Sequence, residues 1–378
     1  MSAERYRETL PAAWYYEPEQ YRRELQSIWY RQWICVGRAE DWAEPGDFHR
    51  LRIGDQQILV TRDEHAALHA MHNTCRHRGS IVCTEDSGRF ERGRIVCPYH
   101  AWTYALNGQL LRAPRATAGS GLRVEDFPLH RVALATWRGF VFVNLSADPE
   151  MTLDQAFAQE AAKVAKWPVE ELRRVHRVRH QLACNWKIFW ENYLECYHCP
   201  GVHPGLCRLV PVYSTGYQSY AAAGREPDPA RPLSMLRPGA VTWSNDGTTR
   251  LPWFEGLGEN ERAAGMTFAD FMPTLFLVAH VDYVRTVRVL PASPELTDLI
   301  VDWYVHRDVQ SHPELDVSAL VAFGDNLVRE DARVCELNQQ GLRCNRHDHG
   351  VLLELEEPVY EFNQWVRRAL GEPVDGAG

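Results

Sequence analysis

Two short segments of this 378-residue chain set thiol and imidazole side chains at spacings that hold metal. Cys75-Arg-His77 and Cys97-Pro-Tyr-His100 each place one potential thiolate beside one imidazole on a short loop, with residues 78–96 between them. Four such ligands suffice for a zinc ion, but zinc sites ordinarily pair Cys with Cys at one end and His with His at the other. Mixed loops suit a two-iron, two-sulfide cluster in which each loop gives a Cys to one iron and a His to the other, an arrangement that raises the reduction potential. A cluster of that kind passes single electrons and does no chemistry on carbon, so a second centre is expected elsewhere in the chain.

The run from Asn185 to Pro204, Asn-Trp-Lys-Ile-Phe-Trp-Glu-Asn-Tyr-Leu-Glu-Cys-Tyr-His-Cys-Pro-Gly-Val-His-Pro, is where that centre is expected. Its pattern predicts a helix from Asn185 to His198 with Glu195 and His198 on one face, and a break at Pro200-Gly201 that lets His203 swing back toward His198. Two imidazoles and one carboxylate make the triad of non-haem Fe(II) oxygenases, which leaves coordination positions open for O2. Asp331 is the expected carboxylate, because Leu327, Val328, Val334 and Cys335 surround it at helical spacing. A carboxylate on an apolar face is costly unless it is paired or bound to metal. Asp325 and Glu330 lie off that stripe and are expected to face solvent. Cys196 and Cys199 flank His198 and raise the alternative of a zinc knuckle, but on a helix they point away from it and are expected to be buried thiols.

These groups need a scaffold. Glu4 to Trp33 reads as helical, with Tyr21, Leu25, Ile28, Trp29 and Trp33 forming an apolar stripe that wants a partner surface. From about Pro45 the pattern turns to short strands such as 57–61 and 140–144, with Gly54-Asp55 and Asn107-Gly108 as turns. A helical stretch follows to about Arg174, then irregular chain from Pro200 to Pro252 that suggests a lid or pocket wall. Strands return at 276–290 and 298–306, and helices at 316–340 and 358–370 close the chain. The fold class is α+β, divided into an N-terminal helical segment 1–44 packing on the catalytic domain, a β domain 45–148 and a catalytic domain 149–378.

A net charge of −9 with scattered Lys and Arg argues against nucleic acid as a partner. No apolar run approaches the length of a membrane helix, and Met1 to Arg7 has no secretory character, so a cytoplasmic home is expected. Ten cysteines in that compartment are expected to be thiols or metal ligands.

Residues 75–100 resemble the Rieske domain of ring-hydroxylating and related oxygenases, and 185–204 resembles the mononuclear iron motif of their large subunits. The resemblance spans nearly the whole chain. It implies a catalytic domain of the helix-grip kind, an antiparallel sheet with long helices. Cys75 and Cys97 would hold one iron of a [2Fe-2S] cluster, His77 and His100 the other, and His198, His203 and Asp331 a mononuclear non-haem Fe(II). Glu195 is then no ligand; it would bridge by hydrogen bonds between His198 and His100 of a neighbouring subunit, in a head-to-tail homotrimer. Many members have Asp at this point, so Glu195 is a departure. Asn192 is a candidate to support the ligands from outside. Hydroxylation with O2 leaves two electrons to be supplied, and the chain has no dinucleotide fingerprint, so a separate flavin and [2Fe-2S] reductase is expected as partner.

The stretch from Glu191 to Pro204 looks more like the branch that attacks quaternary ammonium compounds, such as betaine N-demethylases and choline or carnitine oxygenases, than like the naphthalene or benzoate branch. A cation of that kind is held by aromatic faces, and Tyr217, Trp243, Trp253 and Phe254 lie in or near the irregular stretch. The competing enzyme reading is hydroxylation of an aromatic acid, whose carboxylate Arg285 or Arg288 could clamp. A reading from another class is a Rieske electron carrier without oxygenase activity.

Overall fold

A computed structural model describes residues 7–117, 119, 121–146, 148–310, 312 and 315–374. The chain divides into two compact units, Ile28–Phe157 and the pair of segments Met1–Ser27 and Ala158–Gly378. The N-terminal stretch is less helical than its apolar stripe suggested, and Glu4 to Tyr6 lie outside the described residues. An α-helix over Pro18–Glu24 continues as a π turn over Leu25–Trp29, and Ile34–Arg38 is already a strand. The helix belongs to the larger unit, where Glu24 is fully buried and pairs with Lys187 Nζ at 2.6 Å. Residues 28–44, expected to extend the helical segment, fall instead in the β unit, because Ile34–Arg38 pairs with Phe140–Asn144.

That unit is a seven-stranded antiparallel sheet in the order Ile34–Arg38, Phe140–Asn144, Arg131–Trp137, Leu68–His72, Gln56–Arg62, Asp47–Ile53, Ser87–Arg89. A second sheet of three short strands, Arg94–Val96, Thr103–Ala105 and Leu110–Arg112, stands with it. Gly54 and Gly108 take positive φ of 58° and 86° in the turns expected there. The loops carrying Cys75 and Cys97 leave the ends of Leu68–His72 and Arg94–Val96.

The larger unit is built on a five-stranded antiparallel sheet in the order Leu172–Leu182, Leu296–His306, Val284–Ser293, Leu275–His280, Met266–Phe271. The helices Trp186–Tyr193 and Ser318–Gly341 pack on each other and on this sheet. The helical reading to Arg174 fails at its end. The helix stops at Lys163, and Arg174 lies in the strand Leu172–Leu182, whose basic side chains find acids on neighbouring elements. Arg177 makes a two-pronged bond with Asp302, at 2.6 and 2.9 Å, and His180 meets Asp325 at 2.8 Å. From 217 to 258 the chain forms turns without helix or strand.

Candidate functional site

The two cluster loops share one design. Cys75 N–H donates to Ser80 O (2.7 Å) and Gly79 N–H to Cys75 O (3.0 Å); Cys97 N–H donates to Trp102 O (2.8 Å) and Ala101 N–H to Cys97 O (3.0 Å). The residue four after each cysteine therefore turns the chain left-handed, Gly79 at φ 75° and Ala101 at φ 56°. Both thiols sit in the apolar core of the unit, 3% and 2% exposed, while His77 and His100 reach the surface with ring centroids 4.7 Å apart. Trp102 stacks on His77 at 5.0 Å, and the Tyr104 hydroxyl lies 3.2 Å from Cys75 Sγ. Burial pushes the Cys75 thiol up, and the neighbouring Cys97 adds to the shift. Among the described residues these four do not converge on one point as ligands of a single ion would. Buried sulfurs on one side and exposed imidazoles on the other fit a two-iron cluster with mixed ligation better than zinc.

In the larger unit the helix of the second motif ends at Tyr193, and Glu195 and His198 lie in the turn beyond it, not on a helical face. Their proximity is still achieved. Glu195 Oε2 accepts the backbone N–H groups of Tyr197 and His198, and its Oε1 accepts from His198 Nδ1 at 2.6 Å. Pro200 and Gly201 do not break the chain either; they lie within the one-turn helix Cys199–Val202, and the break falls at His203 itself, φ −117° and ψ 65°, before the helix Pro204–Leu209. Cys196 and Cys199 are joined by a disulfide, with Cα atoms 4.9 Å apart. They are not buried thiols pointing away from His198 on a helix, because the helix ends at Tyr193 and the turn beyond it brings the two sulfurs together.

His198 Nε2, His203 Nε2 and Asp331 Oδ1 face one another, with separations of 3.2 Å between the imidazoles and 2.7 and 3.5 Å from the carboxylate to His203 and His198. This is the one set among the described residues whose three ligand atoms lie within 4.8 Å of one another. Glu330 also belongs here. It was expected in solvent, yet its Oε2 accepts from His203 Nδ1 at 2.7 Å and its Oε1 from Asn326 Nδ2 at 2.7 Å. Asp325 does not face solvent freely either, since it pairs with His180 and Arg329. With both Nδ1 atoms donating outward to Glu195 and Glu330, both Nε2 lone pairs aim inward, the tautomer a metal-binding histidine needs. Burial alone would lower His198, but hydrogen bonds to Asp331 and Glu195 outweigh it and raise it to about 9. His203 is raised the same way, and the two imidazoles hold Asp331 down despite its burial. A divalent cation bound here would displace the protons that the raised imidazoles carry on their inward Nε2 atoms and take over their charge.

A cavity of about 380 Å³ adjoins this set, with His198, His203 and Asp331 in its wall. Phe189, Tyr193, Phe268 and Phe276 supply aromatic faces, and Tyr193 stacks on Phe276 at 3.9 Å while donating to Asp270 Oδ1 at 2.8 Å. Of the four aromatics singled out in the irregular stretch, Trp243 alone lines this cavity; Asn192 lines it as well. Phe254 is buried and Trp253 is partly exposed. Sequence reasoning missed Tyr193, Phe268 and Phe276 because core aromatics and cavity aromatics have the same local pattern.

Residues 169–372 match the model of the ring hydroxylating alpha subunit (catalytic domain), more than half of the chain. The chain belongs to the ring-hydroxylating alpha-subunit family. Residues 32–133 match the Rieske [2Fe-2S] domain. The protein is thus an oxidoreductase, an oxygenase of a family that couples a Rieske cluster to mononuclear non-haem iron. Among its relatives, the glycine betaine monooxygenase oxygenase subunit of Chromohalobacter salexigens is 29% identical, over 97% of this chain and 87% of its own length. The chloroplastic choline monooxygenase of Beta vulgaris is 27% identical, over 96% of this chain and 77% of its own. A crystal structure of the quaternary ammonium Rieske monooxygenase CntA with L-carnitine superposes with a TM-score of 0.71 at 22% identity, covering 96% of both chains, a likeness of fold. Among the described residues no helix is long and apolar enough to cross a membrane.

Proposed function

We propose that this ring-hydroxylating alpha subunit oxidises a quaternary ammonium compound such as a betaine, by hydroxylating an N-methyl group. The carrying observation is the cavity that sets the inward-facing atoms of His198, His203 and Asp331 beside the aromatic walls of Phe189, Tyr193, Phe268 and Phe276. Aromatic faces attract a methylated ammonium, which cannot donate hydrogen bonds and is cheap to desolvate. The relatives named for glycine betaine and choline support the same choice. His198, His203 and Asp331 would hold the iron, which supplies O2 activation; Cys75, Cys97, His77 and His100 would hold the cluster, which supplies single electrons. Glu195 and Glu330 fix the two imidazoles, the aromatic wall positions the methyl group, and the apolar lining limits water. The hydroxylated N-methyl is a carbinolamine that loses formaldehyde and a proton, leaving the demethylated amine.

The reading includes a head-to-tail homotrimer, in which Glu195 links His198 to the surface histidine of a neighbour's cluster, and a separate NAD(P)H-linked reductase in the cytoplasm. The exposure of His77, His100 and Tyr99 on one unit, and of Tyr197 next to Glu195 on the other, supports such docking. The test is a single turnover: reduced protein is mixed with O2 and either N-methylated betaines or aromatic acids, and formaldehyde and ring-hydroxylated product are assayed. Formaldehyde from a betaine is expected. A hydroxylated ring without formaldehyde would overturn the substrate and leave the iron chemistry standing.

A further inference from the structure

Two arginines on the strand Val284–Ser293 are buried, and only one has a structural partner in an acid. Arg288 Nη2 lies 3.6 Å from Asp302. Arg285, 6% exposed, faces the cavity instead. Its Nη1 donates to Gly324 O at 3.1 Å, its guanidinium lies 5.9 Å from the centre of the Trp243 ring, and its buried Nε has no partner. Among the described residues no carboxylate comes within ion-pair distance of it. Asp331 acts on it only from longer range, and a buried guanidinium with no acid in contact is costly to keep, so its surroundings call for an anion. Glycine at 324 is what lets the Arg285 side chain lie there, since a Cβ would meet Trp303 Cζ2 at 3.1 Å and Arg285 Cδ and Nη1 at 3.2 Å.

We propose that Arg285 is the binding site for the substrate's carboxylate, which makes the favoured substrate a zwitterion of the betaine type and not the alcohol choline. This deepens the quaternary ammonium reading and rests on it for the other end of the molecule. Gly324 precedes Asp331 on the helix Ser318–Gly341 by two turns, about 10 Å along its axis. Arg285 bonds this helix at Gly324 and lines the same cavity as the metal-ligating set, so one short zwitterion can meet both. Trp243 covers the guanidinium, so the ammonium falls to the other aromatic faces, Tyr193, Phe268 and Phe276, beside the Asp270 carboxylate. Tyr193 lies in the fields of both Asp270 and Arg285, which oppose each other there, so the apolar-walled cavity carries an acidic and a basic group.

The test is calorimetric binding of glycine betaine, choline and benzoate to the full-length holoprotein, compared with R285Q and R285K, with the cluster's visible spectrum as the check on folding. R285Q is expected to weaken glycine betaine by about ten- to a hundredfold, the cost of a lost charge-assisted pair, and to leave choline unchanged or tighter because a repelling cation is gone. R285K is expected to fall between. Betaine binding unaffected by R285Q, or choline weakened as much as betaine, would overturn the proposal. If the unsubstituted protein binds benzoate through Arg285 and ignores both ammonium compounds, the carboxylate site stands and the quaternary ammonium reading falls.

Discussion

Glu330 is the site residue that sequence reasoning assigned to solvent, and replacing it by glutamine tests whether its contact with His203 matters. The Nδ1–H···Oε2 bond is 2.7 Å long and attaches to an imidazole only 2% exposed, while the carboxylate itself is 27% exposed. A hydrogen bond to a charged acceptor contributes about 1.5–3 kcal/mol, and the partial exposure of Glu330 places this one toward the lower end. Glutamine keeps the helix and can still accept a bond, but it loses the charge that makes His203 a stronger ligand. The expected result is roughly a tenfold weaker hold on Fe(II) at this centre, rising toward a hundredfold for E330A. Competition against a graded series of chelators measures it, with the cluster's absorption as an internal reference. An E330Q protein that holds mononuclear iron as tightly as the original would refute the assigned role. Loss of iron and cluster together would show a general folding defect instead.

E195Q should retain the cluster and most mononuclear iron, since an amide oxygen can still accept from His198, yet form product at least about tenfold more slowly in single turnover if Glu195 also carries the link between centres. Stopped-flow oxidation of the reduced cluster checks this, and an unchanged rate would remove Glu195 from the electron path. Glu191, bonded to the Tyr15 hydroxyl at 2.6 Å, is raised to about 7, burial outweighing the pull of Tyr15 and Lys187 while Glu24 and Glu356 push the same way as burial. The folded state therefore binds a proton that the unfolded state has released, and its stability from this residue falls as pH rises from about 4.5 to 7, by about 1–3 kcal/mol, and is flat above. E191Q should lack this fall; parallel denaturation profiles for the two proteins across that range would contradict it.

The residues proposed as ligands stood out in the sequence because metal chemistry constrains residue type and spacing more tightly than packing does. Cys75, His77, Cys97 and His100 come together on two loops at strand ends, and His198, His203 and Asp331 come together although the helix expected to carry Glu195 and His198 ends at Tyr193. That end was hidden because the run to His198 has no breaker before Pro200 and its apolar spacing continues through Leu194. The strand Leu172–Leu182 was hidden because two of its basic residues, Arg177 and His180, are satisfied by Asp302 and Asp325, acids distant in sequence. The left-handed turn at Ala101 had no signal at all, whereas Gly79 at the matching place in the other loop did. Glu330 and Arg285 illustrate the same limit: a charged residue reads as solvent-facing until the fold reveals what it meets.

The most direct test of two separate iron centres on one chain is the iron and acid-labile sulfide content of the purified protein and of D331A. About three irons and two sulfides per chain are expected, with D331A holding about two of each, an intact cluster spectrum and no product in single turnover. Two irons in the unsubstituted protein would leave only an electron carrier, an unchanged three in D331A would displace Asp331 from the site, and zinc in place of iron would contradict the account altogether.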